Sequence, residues 1–562
     1  MRPPLLRCLL VALPVMAGNA FAADPAASPY QSAHRGGTLR LTADASGGTL
    51  DPQINYVSTN AQIFAVTNDG LTTYAHVDGP GSAVVVPDLA DSLPTPLDGG
   101  RTYVFHLHPG VRFSTGQPVR PSDVLATMQR IFKVGSPTAG SFYGGIVGAA
   151  HCLKDALHCT LAGGVEADDA AGTVTFHLTQ PDGEFFDKLA MPHASVVPAD
   201  TPGHDLGNVP AAATGPYEIT EFDPNHGMVL ERNPYFRVWS AVAQPEGYVD
   251  RIQYDFGLGD EAQVTAVENG QYDWMFNNKP LDRLAELGDR YASQVHIQNM
   301  FAIFYMPMNM NLPPFDNLEA RQAVNYAVNR RAMAILFGGS AVADPLCEMV
   351  PTGIPGRIDR CFYSSGADPD HSVPAWQKPD LARARALVEA SGTKGAKVTL
   401  IAPNRAIDVS MGLYLQNTLQ QIGYDTSVKF VTDSVAFNYI QNTSNKVQIS
   451  LTDWYADYPA PSNFLDDLFG CENFHPGSDS SINISGVCDA HLQATMDRAG
   501  RISVTDPAAG NALWAQAGRQ VMKLSAAAPL IQFKYVDLVS RRLGHYTYTL
   551  LTHMLFSQVW VR

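Results

Sequence analysis

The sequence predicts an α/β protein with mixed sheets and more than one domain. Three observations carry this. The chain has 562 residues, more than one core organises, so two or three domains are expected. Between residues 380 and 455, strand-like and helix-like runs alternate in β-α-β order. Elsewhere, short runs alternate apolar and polar residues with period two, as half-buried strands do.

Taken in order, GGTLRLTAD at 36–44 alternates as a strand, and YVFHLHPGVRF at 103–113 reads as a hairpin of two such runs around Pro109-Gly110. Pro121-Ser122-Asp123 opens a helix, with Ser122 or Asp123 as the cap and Val124, Met128 and Ile131 on one face. TVTFHL at 173–178 is a strand, so 75–205 forms a small α+β unit. Gly215-Pro216 turns into a strand at 217–220, followed by another at 228–233. Asp380 caps a helix through Leu381, Leu387 and Val388 that Gly392 stops. KVTLI at 397–401 is a strand, and Met411, Leu415, Leu419 and Ile422 follow at helical spacing up to Gly423. SVKFV at 427–431 is the next strand, so these two should run parallel. VQISL at 447–451 is a neighbour in the same sheet.

Composition excludes some function classes. The formal charge is −16. With no basic stripe, the chain lacks the clustered Lys/Arg that phosphate binding needs, so no nucleic-acid partner is expected. There is no GxSxG, HExxH, P-loop or CxxC, which leaves a secreted hydrolase only with nucleophile and base distant in sequence. No cofactor is expected, and a monomer is.

The first 22 residues read as a cleavable export signal. Arg2 and Arg7 precede a short apolar run from Leu9 to Gly18, and Ala20-Phe21-Ala22 is an A-x-A site. The run is shorter than the ~20 residues a membrane span needs. Cleavage before Ala23 would take the formal charge from −16 to −18 and remove Cys8. Six cysteines remain. An even number in an exported chain favours disulfides, with 15 possible pairings. They cluster as three close pairs, Cys152/Cys159, Cys347/Cys361 and Cys471/Cys488, and short loops are easiest to close. His151-Cys152 with His158-Cys159 is also a conceivable zinc set, though at the wrong spacing for C-x2-C. Met306, Met308 and Met310 offer thioethers to copper, but at spacing two they equally make one face of a strand.

The richest stretch is ISLTDWYADYPAPSNFLD at 449–466. A β-branched run ends in aromatics, and Asp457 then sits in a Tyr/Pro-rich loop with no enzyme motif beside it. In open α/β sheets, ligands bind beyond the carboxyl ends of strands. Asn404-Arg405 follow one strand and Asp457 another, so neighbouring strands would set a cation and an anion on one rim, suited to a zwitterion.

Several segments together carry a resemblance: GGTLRL…LDP at 36–52, PDLADSL at 87–93, TYVFHLHPGVRFSTGQPVRPSDV at 102–124, TGPYEI at 214–219, PPFDNLEARQAVNYAVNR at 313–330, and WYADYPAPSNF ending at Phe464. In this order and spacing the chain resembles the extracellular solute-binding proteins of bacterial ABC importers, family 5, which include dipeptide- and oligopeptide-binding proteins. The resemblance spans Gly36 to about Tyr546. It implies a two-lobed periplasmic-binding-protein-like fold of type II with an extra subdomain. One lobe comprises 36–74, 206–295 and 525–562, with 75–205 as its subdomain; the other comprises 296–524, hinged near 296 and 525.

The resemblance further implies a periplasmic protein that captures short peptides and delivers them to the permease subunits of an importer. In peptide-binding members an Asp of the W-x-x-D segment pairs with the peptide α-amino group, and Asp457 holds that position. Arg405, with Asn404, is placed to take the carboxylate. Relatives that continue with Asp-Pro differ from this chain, which has Ala460-Pro461. Trp454, Tyr455 and Tyr458 are expected to wall the cleft, aromatics offering rigid area with a polar tip. Tyr56, Ser58 and Thr59 are expected to hydrogen-bond the ligand from the other lobe. A nickel chelate, an oligosaccharide, haem or a modified peptide would fit the same fold, as would a chaperone or sensor presenting its ligand to another protein.

Overall fold

A computed structural model describes residues 25–277, 283–479 and 481–562. The expected export signal and its cleavage site lie outside the described residues. Among the described residues, no helix is long and apolar enough to cross a membrane.

The fold is the two-lobed α/β arrangement that the family resemblance implies. In the first lobe, Thr38–Ala43 lies in a five-stranded mixed sheet, between Trp274–Met275 and Arg251–Phe256 and parallel to both. Gly227–Arg232 and Tyr217–Asp223 extend it antiparallel. The period-two pattern works as expected: Leu39, Leu41 and Ala43 are fully buried. The end of the chain closes this core, with Val539, Phe556 and Val559 packed against Leu41, Tyr217 and Trp274.

The 75–205 region builds a second core around an antiparallel sheet of Val165–Asp168, Thr173–His177 and Thr102–His106. The predicted hairpin around Pro109-Gly110 does not form. Thr102–His106 pairs with Thr173–His177, about seventy residues on, and the chain reverses instead near Gly116, where Val119 N bonds Val111 O. Helix Pro121–Lys133 forms as expected, but its N-cap is Arg120. Asp123 stands in the first turn and accepts the Arg120 amide at 2.8 Å, satisfying a donor at the helix start.

The second lobe carries the β-α-β unit. Lys397–Pro403 pairs parallel with Asp425–Val431 on one side and Ile449–Ser450 on the other. Helix Ala406–Ile422 connects the first two and ends at Gly423, whose φ of 114° is left-handed. Asp380 caps the preceding helix, Leu381–Ala390, by accepting Arg383 N at 3.0 Å. The two lobes are tied by a four-stranded antiparallel sheet in which Val295–Pro307 pairs with Ala527–Leu538 along its length. The register between them breaks from Asn299 to Ile303. Thr452–Tyr455 flanks Val295–Pro307. One short run, 449–455, thus serves the parallel sheet first and the connecting sheet second.

All three close cysteine pairs are bonded: Cys152–Cys159, Cys347–Cys361 and Cys471–Cys488. Met306 and Met308 are fully buried in the second lobe's core, and Met310 packs against it.

Candidate functional site

Between the lobes lies a cavity of about 330 Å³, within the size range of small-ligand sites. The first lobe supplies Tyr56, Ser58, Asn68 and His193. The second supplies Trp454, Tyr455 and Asp457, and the connecting sheet supplies Met300 and Phe301 at its register break.

Asp457 reaches the cavity because Thr452–Tyr455 ends there and helix Ser462–Phe469 starts after the Pro459/Pro461 turn. Asn463, in the first turn of that helix, pins the loop. Its Oδ1 accepts Asp457 N at 3.0 Å and Trp454 Nε1 at 3.1 Å; its Nδ2 donates to Asp457 Oδ2 at 2.8 Å and to Asp467 Oδ2 at 2.7 Å. From the opposite lobe the Tyr56 hydroxyl donates to Asp457 Oδ1 at 2.5 Å. Each partner bonded to this carboxylate is a neutral donor. Burial pushes Asp457 up to about 6, against the pull of the Tyr56 and Asn463 hydrogen bonds. Asp467 goes to about 8 through burial and the nearby charges of Asp457 and Asp466.

Of the nine residues expected at the ligand, five line this cavity: Asp457, Trp454, Tyr455, Tyr56 and Ser58. Trp454 is largely buried and Tyr455 is 37% exposed. Four stand elsewhere. Thr59 is buried inside its helix. Tyr458 is buried against Phe142 of the 75–205 region, ring centroids 5.7 Å apart, and its hydroxyl accepts Ser462 Oγ. Asn404 Oδ1 accepts Asp433 N at 3.1 Å, at the start of helix Asp433–Gln441.

Arg405 lines a separate recess of about 90 Å³ that shares Phe437 and Asp453 with the main cavity. Its guanidinium is held by Asp408 at 2.5 and 3.1 Å, by Asp453 at 2.8 Å and by Asp433 at 3.5 Å. Three carboxylates already surround this one cation. Asn463 and His193 escaped the sequence reading: Asn463 stands within the quoted segment as the residue after Pro461-Ser462, whereas no local pattern marks His193.

Cys152 and Cys159 spend their sulfurs on each other, which removes both from any zinc set. Among the described residues no three His, Cys, Asp or Glu side chains converge as metal ligands.

A model of bacterial extracellular solute-binding proteins, family 5 Middle, matches residues 84–476. The periplasmic oligopeptide-binding protein OppA of Escherichia coli K12 is 24% identical over 468 residues, covering 80% of this chain and 79% of the relative. A dipeptide-binding protein of Pseudomonas aeruginosa is 25% identical over 516 residues, covering 85% and 86%. In fold, the chain is similar to clavulanic acid biosynthesis oligopeptide binding protein 2, with a TM-score of 0.83, 24% identity, and coverage of 94% of this chain and 96% of that one.

Proposed function

The chain belongs to the bacterial extracellular solute-binding proteins, family 5, and from that premise we propose that it captures short peptides between its lobes and hands them to an ABC importer. Its homologues are binding proteins, not enzymes. We take the clamp to be residues 36–74, 206–295 and 525–562 against 296–524, with 75–205 as a subdomain. It works outside the inner membrane, after export by the 1–22 signal.

One observation carries the ligand chemistry. Asp457 faces the interlobe cavity, and the donors bonded to its carboxylate are uncharged. A half-buried carboxylate without a counter-cation is costly to desolvate further, and an incoming ammonium lowers that cost as the lobes close. Trp454 and Tyr455 then flank the ligand, and Ser58 bonds it from the first lobe. Closure excludes water, which strengthens the charge pair. Capture needs no bond to be made or broken in the peptide.

The test is native mass spectrometry of the purified protein with its co-purified ligand, followed by calorimetry with short peptides. The expected ligand carries a free amine, stabilises the fold on binding, and is recovered unchanged. A co-purified ligand without a cationic group would overturn the assignment of Asp457, and cleaved peptide would overturn the binding role.

A further inference from the structure

Tyr56 covers two groups at once. Its hydroxyl is bonded to Asp457, and its ring stands edge-on to the His193 imidazole, centroids 5.1 Å apart. His193 lines the same cavity and is 1% exposed, yet neither of its ring nitrogens has a hydrogen-bond partner. Buried polar side chains are nearly always paired, so an orphaned one at a cavity wall calls for a partner that arrives from outside. Burial pushes the imidazole down to about 3, so it stays neutral across the physiological range. A neutral imidazole has one N–H to donate and one lone pair to accept with.

A peptide unit offers the complement, one carbonyl and one N–H. Moving the Tyr56 side chain aside would free both groups that now touch it, a carboxylate for an ammonium and an imidazole for the group that follows it. We propose that His193 contacts the ligand and reads the first peptide bond after the ammonium held by Asp457, which selects α-amino amides over plain amines. This rests on the reading of Asp457 given above. Neither Asp457 nor the aromatic wall can make that distinction, because an ammonium looks the same to both whatever follows it.

The experiment pairs trialanine with its depsipeptide, in which the first amide N–H is replaced by an ester oxygen. Calorimetry is run on the full protein, on His193→Leu and on His193→Gln, with thermal unfolding to confirm that each variant is folded. The native protein should prefer the amide about tenfold, the size of one hydrogen-bond difference. His193→Leu should reduce that preference below about twofold, and His193→Gln, which keeps a donor and an acceptor, should restore it. A folded His193→Leu protein that keeps the native preference overturns this inference alone, as does a folded His193→Gln that fails to restore it. A native protein that binds neither trialanine nor other short peptides overturns the peptide reading, and this inference with it.

Discussion

Asp453 and Asp457 stand four residues apart, one inside the strand Thr452–Tyr455 and one just beyond it. At the first, Arg405 Nη2 approaches at 2.8 Å, and the Nε of the same guanidinium faces Asp408 and Asp433. At the second, a phenol and an amide are the bonded donors. The chain neutralises one carboxylate from within and leaves the other to uncharged groups. Internal pairing removes a charge from the ligand's reach and gives it a structural role. In the function proposed above, the carboxylate without an arginine is the one a ligand completes.

The largest expected effect cuts the ligand side of this contrast. Asp457→Ala should weaken an amine-bearing peptide by two to three decades, about 3–4 kcal/mol, because the ligand's ammonium is left buried and alone. Calorimetry checks it, and a loss below threefold would make Asp457 a structural acid like Asp453. The complementary change is Arg405→Met. It should cost about 2–3 kcal/mol in denaturant unfolding, a value reduced because Arg405 is partly exposed, and leave peptide affinity nearly unchanged. A loss of affinity without a loss of stability would move Arg405 to the ligand.

The third effect is in pH. The proposed capture uses ionised Asp457, whose carboxyl burial pushes up to about 6, so affinity should fall by roughly tenfold per unit below pH 6. The unliganded fold should move the other way. Asp457 in the folded state lies above its unfolded value of 3.8, so the folded state holds more protons between the two. Its contribution to stability therefore rises as pH falls through about 6 and levels off below about 4. Asp467 and Glu184, both raised to about 8 by burial, act in the same sense from higher pH. Calorimetry and thermal unfolding at pH 5 and 7 should thus diverge, and parallel changes would contradict the assignment. The smallest effect is Tyr56→Phe. Removing the hydroxyl that occupies Asp457 Oδ1 should tighten peptide binding about fivefold, close to one neutral hydrogen bond.

The fold was legible where its determinants are local. The β-α-β unit rests on helical spacing at Met411, Leu415, Leu419 and Ile422 and on a stop at Gly423. The cysteines bond to their nearest neighbours in sequence. The false hairpin at Pro109-Gly110 shows the limit: alternation marks a strand but does not name its partner, and Thr173–His177 offered a better one. The site divides in the same way. Its segment and the family resemblance pointed to Asp457, which the fold places on the cavity wall. The neighbouring strands do pair as the rim argument required, Leu400 with Ile449 and Ile401 with Ser450. The chain then changes sheets beyond Ser450, so Arg405 meets Asp453 rather than sharing the rim with Asp457. His193 was invisible because its meaning lies in what it fails to bond, a property of the folded cavity and not of any motif.

The first lobe's sheet draws on Thr38–Ala43 and on residues 217–275, yet its core is closed by Val539, Phe556 and Val559. Between these the chain builds the β-α-β unit, from Lys397–Pro403 to Ile449–Ser450. A ribosome therefore finishes that unit before it reaches either the strand Ala527–Leu538, which contributes to the second core, or the side chains that close the first. The order of synthesis is written into the topology: the segment bearing Asp457 leaves the ribosome before the residues that complete the cores on both sides of it.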